Sequence, residues 1–342
     1  MPFRTVAAVA LATLLVIPAV ADRALGCSRI FWNANPDAKV VARTMDLFRS
    51  DEARLSANPR GIERRGVPGE SGGLAWKAKY ASVAVTAFGA ATSDGMNEKG
   101  LSANLLYLDA TRYEARDQRP ALSNLLWAQY VLDNYQTVEE ALEGLKAVQV
   151  VSSTIAGREW PIHLSMGDTS GDSAIIEFVD GKMVVHHGKQ YPVMTNEPTF
   201  DEQLANLKLY KLFGGDRPMP GDIDPLSRFV RASSYVKTLP PAKDAAGSAA
   251  GVYSVARNVA VPFGAEDTSA SVTLDTWPTL WFSIADLTNR VYYFQSTRSP
   301  NLYWVDFSSL PLDEGAAVRS IDAYDPTLAG DVSPQLIAAK AS

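Results

Sequence analysis

The sequence predicts a single mixed α+β domain behind a short N-terminal leader, and three observations predict it. The 342 residues are 46% hydrophobic and 20% charged, an ordinary globular balance that argues against collagen, a coiled coil or a mostly disordered chain. Short β-rich runs recur along the chain, and a few segments carry helical spacing instead. The sequence shows no internal repeat, heptad array or glycine-rich phosphate loop. One domain over residues 27–342 follows from this pattern.

The leader at residues 1–21 is typical of a secretory signal peptide. Arg4 supplies a small positive charge, residues 6–20 are apolar, and Ala-Val-Ala at 19–21 is a small-x-small cleavage site. The apolar run is short for a transmembrane helix, which needs roughly 20 residues. A buried N-terminal helix is the alternative. We therefore expect an exported protein, periplasmic or secreted from a bacterium, with residues 22–26 as a short propeptide stub.

Nine segments after the leader are β-rich. They are residues 27–32, 40–46, 81–88, 101–108, 162–166, 174–179, 183–187, 281–285 and 290–295. Asp94-Gly95 is predicted to be a turn between the third and fourth segments, and Asp180-Gly181 a hairpin turn between the sixth and seventh.

Helical spacing occupies the middle of the chain. Residues 122–135 are apolar with helical spacing, and Thr137 opens a capping box that predicts a second helix to about Ala147. Glycine, proline and alanine concentrate at 213–225 and 240–251, which are predicted to be surface loops.

Charge and metal-ligand counts exclude several function classes. Lys and Arg number 32 against 38 Asp and Glu, and the net charge is −6. No long basic run appears, so nucleic acid is not an expected partner. One cysteine and three histidines nearly exclude a zinc site built from those residues. We expect no metal and no organic cofactor.

The lone cysteine, Cys27, leaves three interpretations open. It could be a lipoprotein acceptor, because residues 25–27 faintly resemble a lipobox, although Ala24 stands where leucine is usual. It could be a buried structural thiol that acts as a small apolar residue. It could instead be a nucleophile that cleavage after Gly26 makes N-terminal. Its own α-amine, with a reference pKa of about 7.7–8, would then activate the thiol, and no histidine would be required.

Further segments follow Cys27 in a fixed order. Arg43 lies 16 residues and Asp46 lies 19 residues after it, within Ala-Arg-Thr-Met-Asp. Three later matches are residues 94–101 (DGMNEKGL), 194–200 (MTNEPTF) and 220–222 with 227–229 (PGD and SRF). This order resembles the choloylglycine hydrolase and penicillin V acylase family, whose members are N-terminal-nucleophile hydrolases of linear amides.

The resemblance implies a fold and a set of roles. The fold is a four-layer αββα sandwich of the N-terminal-nucleophile hydrolase type. Cys27 would be nucleophile and amine base, Arg43 and Asp46 would position it, and Asn196 would donate a hydrogen bond to the oxyanion. Arg228 would stabilise the charged site and orient Cys27. Fixed donors at the oxyanion and a nearby arginine suit acyl transfer to a thiolate.

Each of these residues also has an ordinary structural interpretation. Arg43 and Asp46 could form a surface ion pair, Asn196 could be a turn residue, and Arg228 could be a helix residue just after its cap. Tyr107 stands where bile salt hydrolases have an oxyanion asparagine, as on the penicillin V acylase side of the family. The second oxyanion donor therefore stays open between a backbone amide and the Tyr107 hydroxyl, and a half-buried strand aromatic is the structural alternative.

The expected function is hydrolysis of linear, non-peptide amides, with a small-molecule acyl amide as the partner. Penicillin V and N-acyl homoserine lactones are the substrates that the resemblance implies, with conjugated bile salts as an alternative. A lipid-anchored protein and a catalytically inactive protein that binds acyl ligands are the alternatives from another class. A homo-oligomer is also implied, but only 32 residues separate Asn196 from Arg228. Gram-positive members carry an extra assembly loop there, which weakens the expectation of a tetramer.

Overall fold

The computed structural model describes residues 26–67, 73–155, 157–265 and 277–338. The predicted signal peptide and residues 22–25 of the predicted stub lie outside these ranges. Within them, no helix combines the length and the apolar character that crossing a bilayer requires.

Twenty-two strands account for most of the described elements. In chain order they are β1 (Ser28–Trp32), β2 (Val40–Asp46), β3 (Arg54–Asn58), β4 (Glu63–Arg65), β5 (Ala75–Lys77), β6 (Ser82–Ala87), β7 (Ala91–Asn97), β8 (Ser102–Tyr107), β9 (Ala121–Ser123), β10 (Gln149–Val151), β11 (Thr154–Ile155), β12 (Arg158–Glu159), β13 (Ile162–Gly167), β14 (Ser173–Val179), β15 (Lys182–His187), β16 (Val193–Met194), β17 (Thr279–Asp286), β18 (Val291–Ser296), β19 (Tyr303–Asp306), β20 (Arg319–Asp322), β21 (Gly330–Asp331) and β22 (Ile337–Ala338).

The residues that the structure describes also form five α-helices and four short 3-10 helices. The α-helices are α1 (Trp127–Asn134), α2 (Val138–Leu145), α3 (Phe200–Leu207), α4 (Pro225–Thr238) and α5 (Ala245–Asn258). The 3-10 helices are Asn124–Leu126, Lys211–Phe213, Phe307–Ser309 and Ser333–Gln335.

Two large sheets form the centre of the described fold. The first has seven strands in the order β16-β1-β2-β17-β18-β19-β21, and the second has nine in the order β15-β14-β13-β8-β7-β6-β3-β20-β22. Strands β1 and β2 are buried along their whole length, as expected for strands covered on both faces. Helices α4 and α5 pack on the seven-stranded sheet, and α1 packs on the nine-stranded sheet. The predicted four-layer αββα sandwich is confirmed.

Local sequence signals explain where key elements begin and turn. Asp224 caps α4 by accepting a hydrogen bond from the Ser227 amide, and Pro225 fills the first helical turn, where a missing N–H costs nothing. Asp180 and Gly181 join β14 to β15 with positive φ angles of 50° and 72°, the backbone of a type I′ hairpin. The predicted hairpin turn is therefore confirmed.

Two sequence-based predictions about local structure are wrong. Asp94-Gly95 is not a turn but lies inside β7, where both residues pair with β6 and β8. The second predicted loop, residues 240–251, includes the first half of α5. Asp244 caps this helix through the Gly247 amide, and Gly251 lies against Trp32, where a Cβ would come within 3.0 Å of the indole. Close packing on β1 outweighs the low helix propensity of glycine.

Candidate active site

The position of Cys27 follows from the register of β1 and β2. Ser28 pairs with Thr44 across the antiparallel ladder, so Cys27 lies just beyond the ladder, next to Met45. The two sulfur atoms, Cys27 Sγ and Met45 Sδ, are 3.7 Å apart. Side chains alternate along a strand, so Arg43 and Met45 face the second sheet while Thr44 and Asp46 face the helical layer. Cys27 therefore lies where both layers can reach it.

Arg43 holds the thiol from the side of the second sheet. It is 1% exposed and donates from Nη2 to Cys27 Sγ at 3.5 Å. Two carbonyls of the nine-stranded sheet fix the guanidinium, Leu105 O at 2.9 Å and Ser93 O at 3.0 Å. Burial lowers the pKa of Arg43, but Cys27 and Asp94 together outweigh it and raise that pKa. The arginine therefore stays charged beside the sulfur.

Asp94 is the anionic partner of Arg43, and the sequence analysis gave it no role. Its Oδ2 lies 3.6 Å from Arg43 Nη1, and both side chains are fully buried between the sheets. The carboxylate accepts hydrogen bonds from Asn104 at 2.6 Å, from Ser283 at 3.1 Å and from the Tyr292 hydroxyl. Burial raises the pKa of Asp94, and these partners oppose the rise. Asp94 is the first residue of the motif at residues 94–101. The motif therefore indicated this segment, but it did not indicate that Asp94 pairs with Arg43.

Arg228 holds Cys27 from the helical layer. Its Nη1 donates to the Cys27 carbonyl at 2.9 Å and to Ser28 Oγ at 2.7 Å, and its Nε donates to Ile223 O at 2.9 Å. Burial lowers the pKa of Arg228, and Asp46 opposes that effect. Asp224, not Ser227, is the helix cap, so Arg228 occupies the first turn of α4 with its side chain turned inward.

Asp46 is fully buried next to Arg228. Thr279 donates to Asp46 Oδ1 at 2.6 Å, and Arg228 Nη1 lies 3.7 Å from Asp46 Oδ2. Among the described residues, Oδ2 has no hydrogen-bond partner. Burial raises the pKa of Asp46, against the effect of Arg228. Arg43 and Asp46 thus bind different partners inside the protein, and their interpretation as a surface ion pair is wrong.

Asn196 links Arg228 to Tyr107. It is completely buried, accepts from Arg228 Nη2 at 3.2 Å, and donates from Nδ2 to the Tyr107 carbonyl at 2.6 Å. An amide nitrogen has two hydrogens, so one remains after this bond. Gly26 lies against the same amide, since a Cβ built on it would be 2.8 Å from Asn196 Nδ2. Asn196 therefore adjoins the Gly26–Cys27 peptide bond.

Tyr107 presents two different groups near the site. Its carbonyl binds Asn196, whereas its hydroxyl points away and donates to Asp109 Oδ1 at 3.3 Å. Burial raises the pKa of Tyr107, and Asp109 adds to the rise. The ring packs edge-on against Trp277 and Trp160. It lies at the end of β8 as a largely buried strand aromatic whose hydroxyl is already engaged.

A cavity opens beside the thiol. It is lined by Cys27, Arg43 and a mostly apolar wall. The apolar side chains of this wall include Met45, Phe88, Tyr107, Trp160, Ile162 and Trp277. Such a wall suits an apolar acyl group, with the carbonyl carbon held near Cys27.

The structure gathers four of the predicted residues around Cys27 and places Tyr107 at the cavity wall. Arg43, Asp46, Asn196 and Arg228 surround Cys27 from two layers, although they lie up to 201 positions apart in the sequence. Cys27 is buried, as the structural-thiol interpretation requires, but it also contacts a guanidinium and lines a cavity. Among the described residues no cluster of His, Cys, Asp and Glu could hold a metal ion.

Comparison with the sequences of known proteins points to one family. The family model of linear amide C–N hydrolases, choloylglycine hydrolase family, matches residues 27–320. Penicillin V acylase of Pectobacterium atrosepticum is 39% identical over 336 residues, covering 90% of this chain and 86% of that protein. A bile salt hydrolase/transferase of Clostridium perfringens is 28% identical over 69% of this chain and 78% of its own length.

Solved structures give the same relationship. Penicillin V acylase from Agrobacterium tumefaciens superposes with a TM-score of 0.83 at 39% identity, covering 92% of this chain and 98% of that chain. A conjugated bile acid hydrolase from Clostridium perfringens superposes with a TM-score of 0.72 at 22% identity, over 89% and 98% of the two chains. The second match shares the fold.

Proposed function

The chain belongs to the choloylglycine hydrolase family of linear amide C–N hydrolases, and on that premise we propose that it is a penicillin V acylase-like enzyme with Cys27 as its nucleophile. The observation that carries the proposal is the position of Cys27. Its sulfur contacts the buried Arg43 and lines an apolar cavity. A thiol placed between a fixed cation and an apolar acyl pocket suits attack on an acyl amide.

The proposed reaction has two acyl-transfer steps. The α-amine of Cys27 takes the thiol proton as the Cys27 sulfur attacks the amide carbonyl, and the carbonyl oxygen becomes an oxyanion beside the remaining Asn196 hydrogen. The C–N bond then breaks, the amine leaves with a proton from the Cys27 α-ammonium, and a thioester remains. Water, deprotonated by the same α-amine, attacks the thioester and releases the carboxylic acid and the thiol.

Cleavage between Gly26 and Cys27 is part of the proposal, because only a free α-amine can act as this base. In the described chain Gly26 is still joined to Cys27, so the Cys27 nitrogen is a peptide nitrogen that stands in for the amine. The unpartnered, buried Asp46 Oδ2 supports this role. A new ammonium near it would supply the missing hydrogen bond and would compensate the buried charge.

Phenoxyacetyl amides are the proposed substrates. The similarity to two penicillin V acylases supports them, and so does the aromatic wall formed by Phe88, Trp160 and Trp277. Aromatic rings pack well against one another, with centroids 4.5–7 Å apart. N-acyl homoserine lactones and conjugated bile salts are the comparison substrates, because all three classes are linear amides of apolar acids.

The deciding experiment is release of 6-aminopenicillanic acid from penicillin V by protein whose N-terminus has been determined by mass spectrometry. We expect turnover by protein that begins at Cys27, and none by Cys27→Ala. Ser254→Ala, on the solvent side of α5, is the control and should match the wild type. Turnover by Cys27→Ala within about tenfold of the wild type would refute the assignment of the nucleophile.

Export and assembly complete the proposal. We propose that residues 1–21 direct the chain to the periplasm or the medium, and recovery of the protein only from the cytoplasmic fraction would contradict this. A lipid-modified Cys27 would instead contradict its role as a free nucleophile. A homo-oligomer is proposed as well. Its support is an exposed apolar segment between α3 and α4, where Leu209, Leu212 and Met219 are 42–43% exposed. Light scattering of the purified protein tests it, and a monomer at all concentrations would exclude it.

A further inference from the structure

A second cavity lies in the helical layer of the fold, between α3, α4 and the end of β1. It measures about 390 Å³, within the range of cavities that hold small organic ligands. Its aromatic lining includes Phe31 and Trp32 of β1, Phe200 of α3 and Phe229 of α4. None of the described residues that line it also lines the cavity beside Cys27. The proposed reaction therefore gives this second cavity no role.

The aromatic walls of the second cavity hold one another in place. The Phe200 ring packs edge-on against Phe229, with centroids 5.8 Å apart, and against Tyr191, with centroids 5.5 Å apart. Phe31, Phe200 and Phe229 are at most 2% exposed. A further ring would pack well against them, since aromatic rings prefer centroid separations of 4.5–7 Å. Because the walls are already ordered, binding there costs little conformational entropy.

One polar side chain lies inside this apolar lining. Ser233 of α4 lines the cavity and is 8% exposed. The hydroxyl of its neighbour Ser234 donates to the Val230 carbonyl at 2.7 Å, whereas the Ser233 hydroxyl has no hydrogen-bond partner among the described residues. A largely buried hydroxyl without a partner costs free energy. An oxygen atom of a ligand in the cavity would supply the missing hydrogen bond.

Two exposed lysines give the cavity a positive charge. Lys189 and Lys237 both line it, and neither has a carboxylate within ion-pair distance among the described residues. The Lys237 ammonium lies 5.0 Å from the ring centroid of Phe213, another lining residue. Burial lowers the pKa of Lys39, the charge of Lys189 lowers it further, and Asp37 opposes both effects. No acidic residue of the described chain lines the cavity, so its charge favours an anion.

The polarity of the cavity changes in one direction along α4. Phe229, Ser233 and Lys237 follow one another at intervals of four positions, so they lie in a row on one face of the helix. Phe229 is fully buried, Ser233 is nearly so, and Lys237 is exposed. Eight helical positions span about 12 Å. The row therefore suits a compact molecule with a ring at one end and an anionic group at the other.

We infer that this cavity binds an arylalkyl carboxylate at a site separate from the catalytic cavity. The aromatic body lies between Phe200 and Phe229, and the carboxylate faces the Ser233 hydroxyl and the Lys237 ammonium. The inference goes beyond the proposed function, because no contact that carries it involves Cys27 or the residues around that thiol.

The test is equilibrium dialysis of Cys27→Ala protein with 2-naphthylacetate and with its neutral counterpart, 2-naphthylacetamide. This protein lacks the proposed nucleophile, so binding is measured apart from turnover. We expect the acid to bind with a Kd about fivefold lower than that of the amide, the upper end of what an exposed charge pair contributes. The difference should shrink as salt is added.

Two variants in the same Cys27→Ala background locate the ligand. Lys237→Gln should bring the two Kd values within about twofold of each other and leave the Kd of the amide unchanged. Ser233→Leu should remove the binding of both compounds, because leucine fills the space that the ring would occupy. Lys99→Gln is the matched control. Lys99 is exposed and also lies over a ring, 5.6 Å from the Tyr80 centroid, so its variant should keep both Kd values.

Several outcomes would overturn the inference. Equal Kd values for the acid and the amide would show that the lysines do not select an anion. Unchanged affinity for the acid in either Lys237→Gln or Ser233→Leu would place the ligand elsewhere, for example beside residue 27. Retention of neither compound would exclude the site. If the acid does not bind and Ser233→Leu changes the mass found by light scattering, a second copy of the chain fills the cavity instead.

Discussion

Replacing Asn196 by alanine tests whether this residue acts in catalysis or only stabilises the fold. The side chain is fully buried and makes two hydrogen bonds, one donated to the Tyr107 carbonyl at 2.6 Å and one accepted from Arg228 at 3.2 Å. Truncation leaves both partners without this contact inside the protein. It also removes the second amide hydrogen, which the proposal aims at the oxyanion.

The size of each effect follows from these contacts. Losing a bond to a buried carbonyl costs about 1 kcal/mol of unfolding free energy, and losing one to a charged arginine costs about 1.5–3 kcal/mol. The unfolding free energy should therefore fall by about 3 kcal/mol. Loss of one oxyanion donor lowers kcat by about 10²–10³, while KM changes little.

A buried asparagine elsewhere gives the matched control. Asn97 is also completely buried, donates to the Leu132 and Tyr135 carbonyls and accepts from the Lys99 and Leu101 amides. Asn97→Ala should be destabilised at least as much as Asn196→Ala, but its kcat should match the wild type.

Urea unfolding and penicillin V kinetics on fully processed protein measure both quantities. If Asn196→Ala keeps kcat within about threefold while losing stability, Asn196 is an architectural residue and the oxyanion assignment fails.

Three further predictions concern the contacts of Cys27. Gly26→Val should slow cleavage before Cys27 strongly and Gly26→Ala should slow it weakly, because a Cβ at position 26 would be 2.8 Å from Asn196 Nδ2. Mass spectrometry over time measures the cleavage rate. Equal cleavage rates for the wild type and both variants would contradict the prediction. Arg228→Lys should lower kcat at least about tenfold, since lysine cannot make the separate hydrogen bonds to the Cys27 carbonyl, Ser28 and Asn196. Kinetics at saturating substrate measure kcat. An unchanged kcat would mean that Arg228 only supports the packing of the fold. In uncleaved Cys27→Ala protein, burial raises the pKa of Asp46, so the folded state holds the proton more tightly than the unfolded chain does. Stability should therefore fall as pH rises above the ordinary Asp pKa of about 3.9 and through the raised pKa. Asp46→Asn should flatten this decline in unfolding curves recorded over a series of pH values, and parallel curves would refute the reasoning.

The sequence predicted the part of the site that lies close together along the chain or in recognisable motifs. Cys27, Arg43 and Asp46 belong to two adjacent strands whose apolar runs are visible, and their spacing sets the register. Asn196 and Arg228 were found through family segments, not through local pattern. Their burial and their bonds to one another depend on the docking of α4, which no short stretch of sequence encodes.

Asp94 escaped the sequence analysis for a physical reason. Asp94 precedes a glycine, which by itself indicates a turn, but its carboxylate binds Tyr292, 198 positions away, across the interface of two sheets. Polar contacts between residues far apart in the chain leave no periodic pattern in the sequence.

The proposed reaction depends on complete folding, because residues from two separate layers hold Cys27. Arg43 reaches the sulfur only when Ser93, Asp94 and Leu105 of the second sheet fix its guanidinium. Arg228 reaches the Cys27 carbonyl only when α4 is docked on the first sheet. An incompletely folded chain therefore lacks both cations at Cys27. The proposed cleavage and hydrolysis depend on these cations, so we expect both to begin only after the sheets have packed together. A reactive N-terminal thiol would then not form in an unfolded precursor.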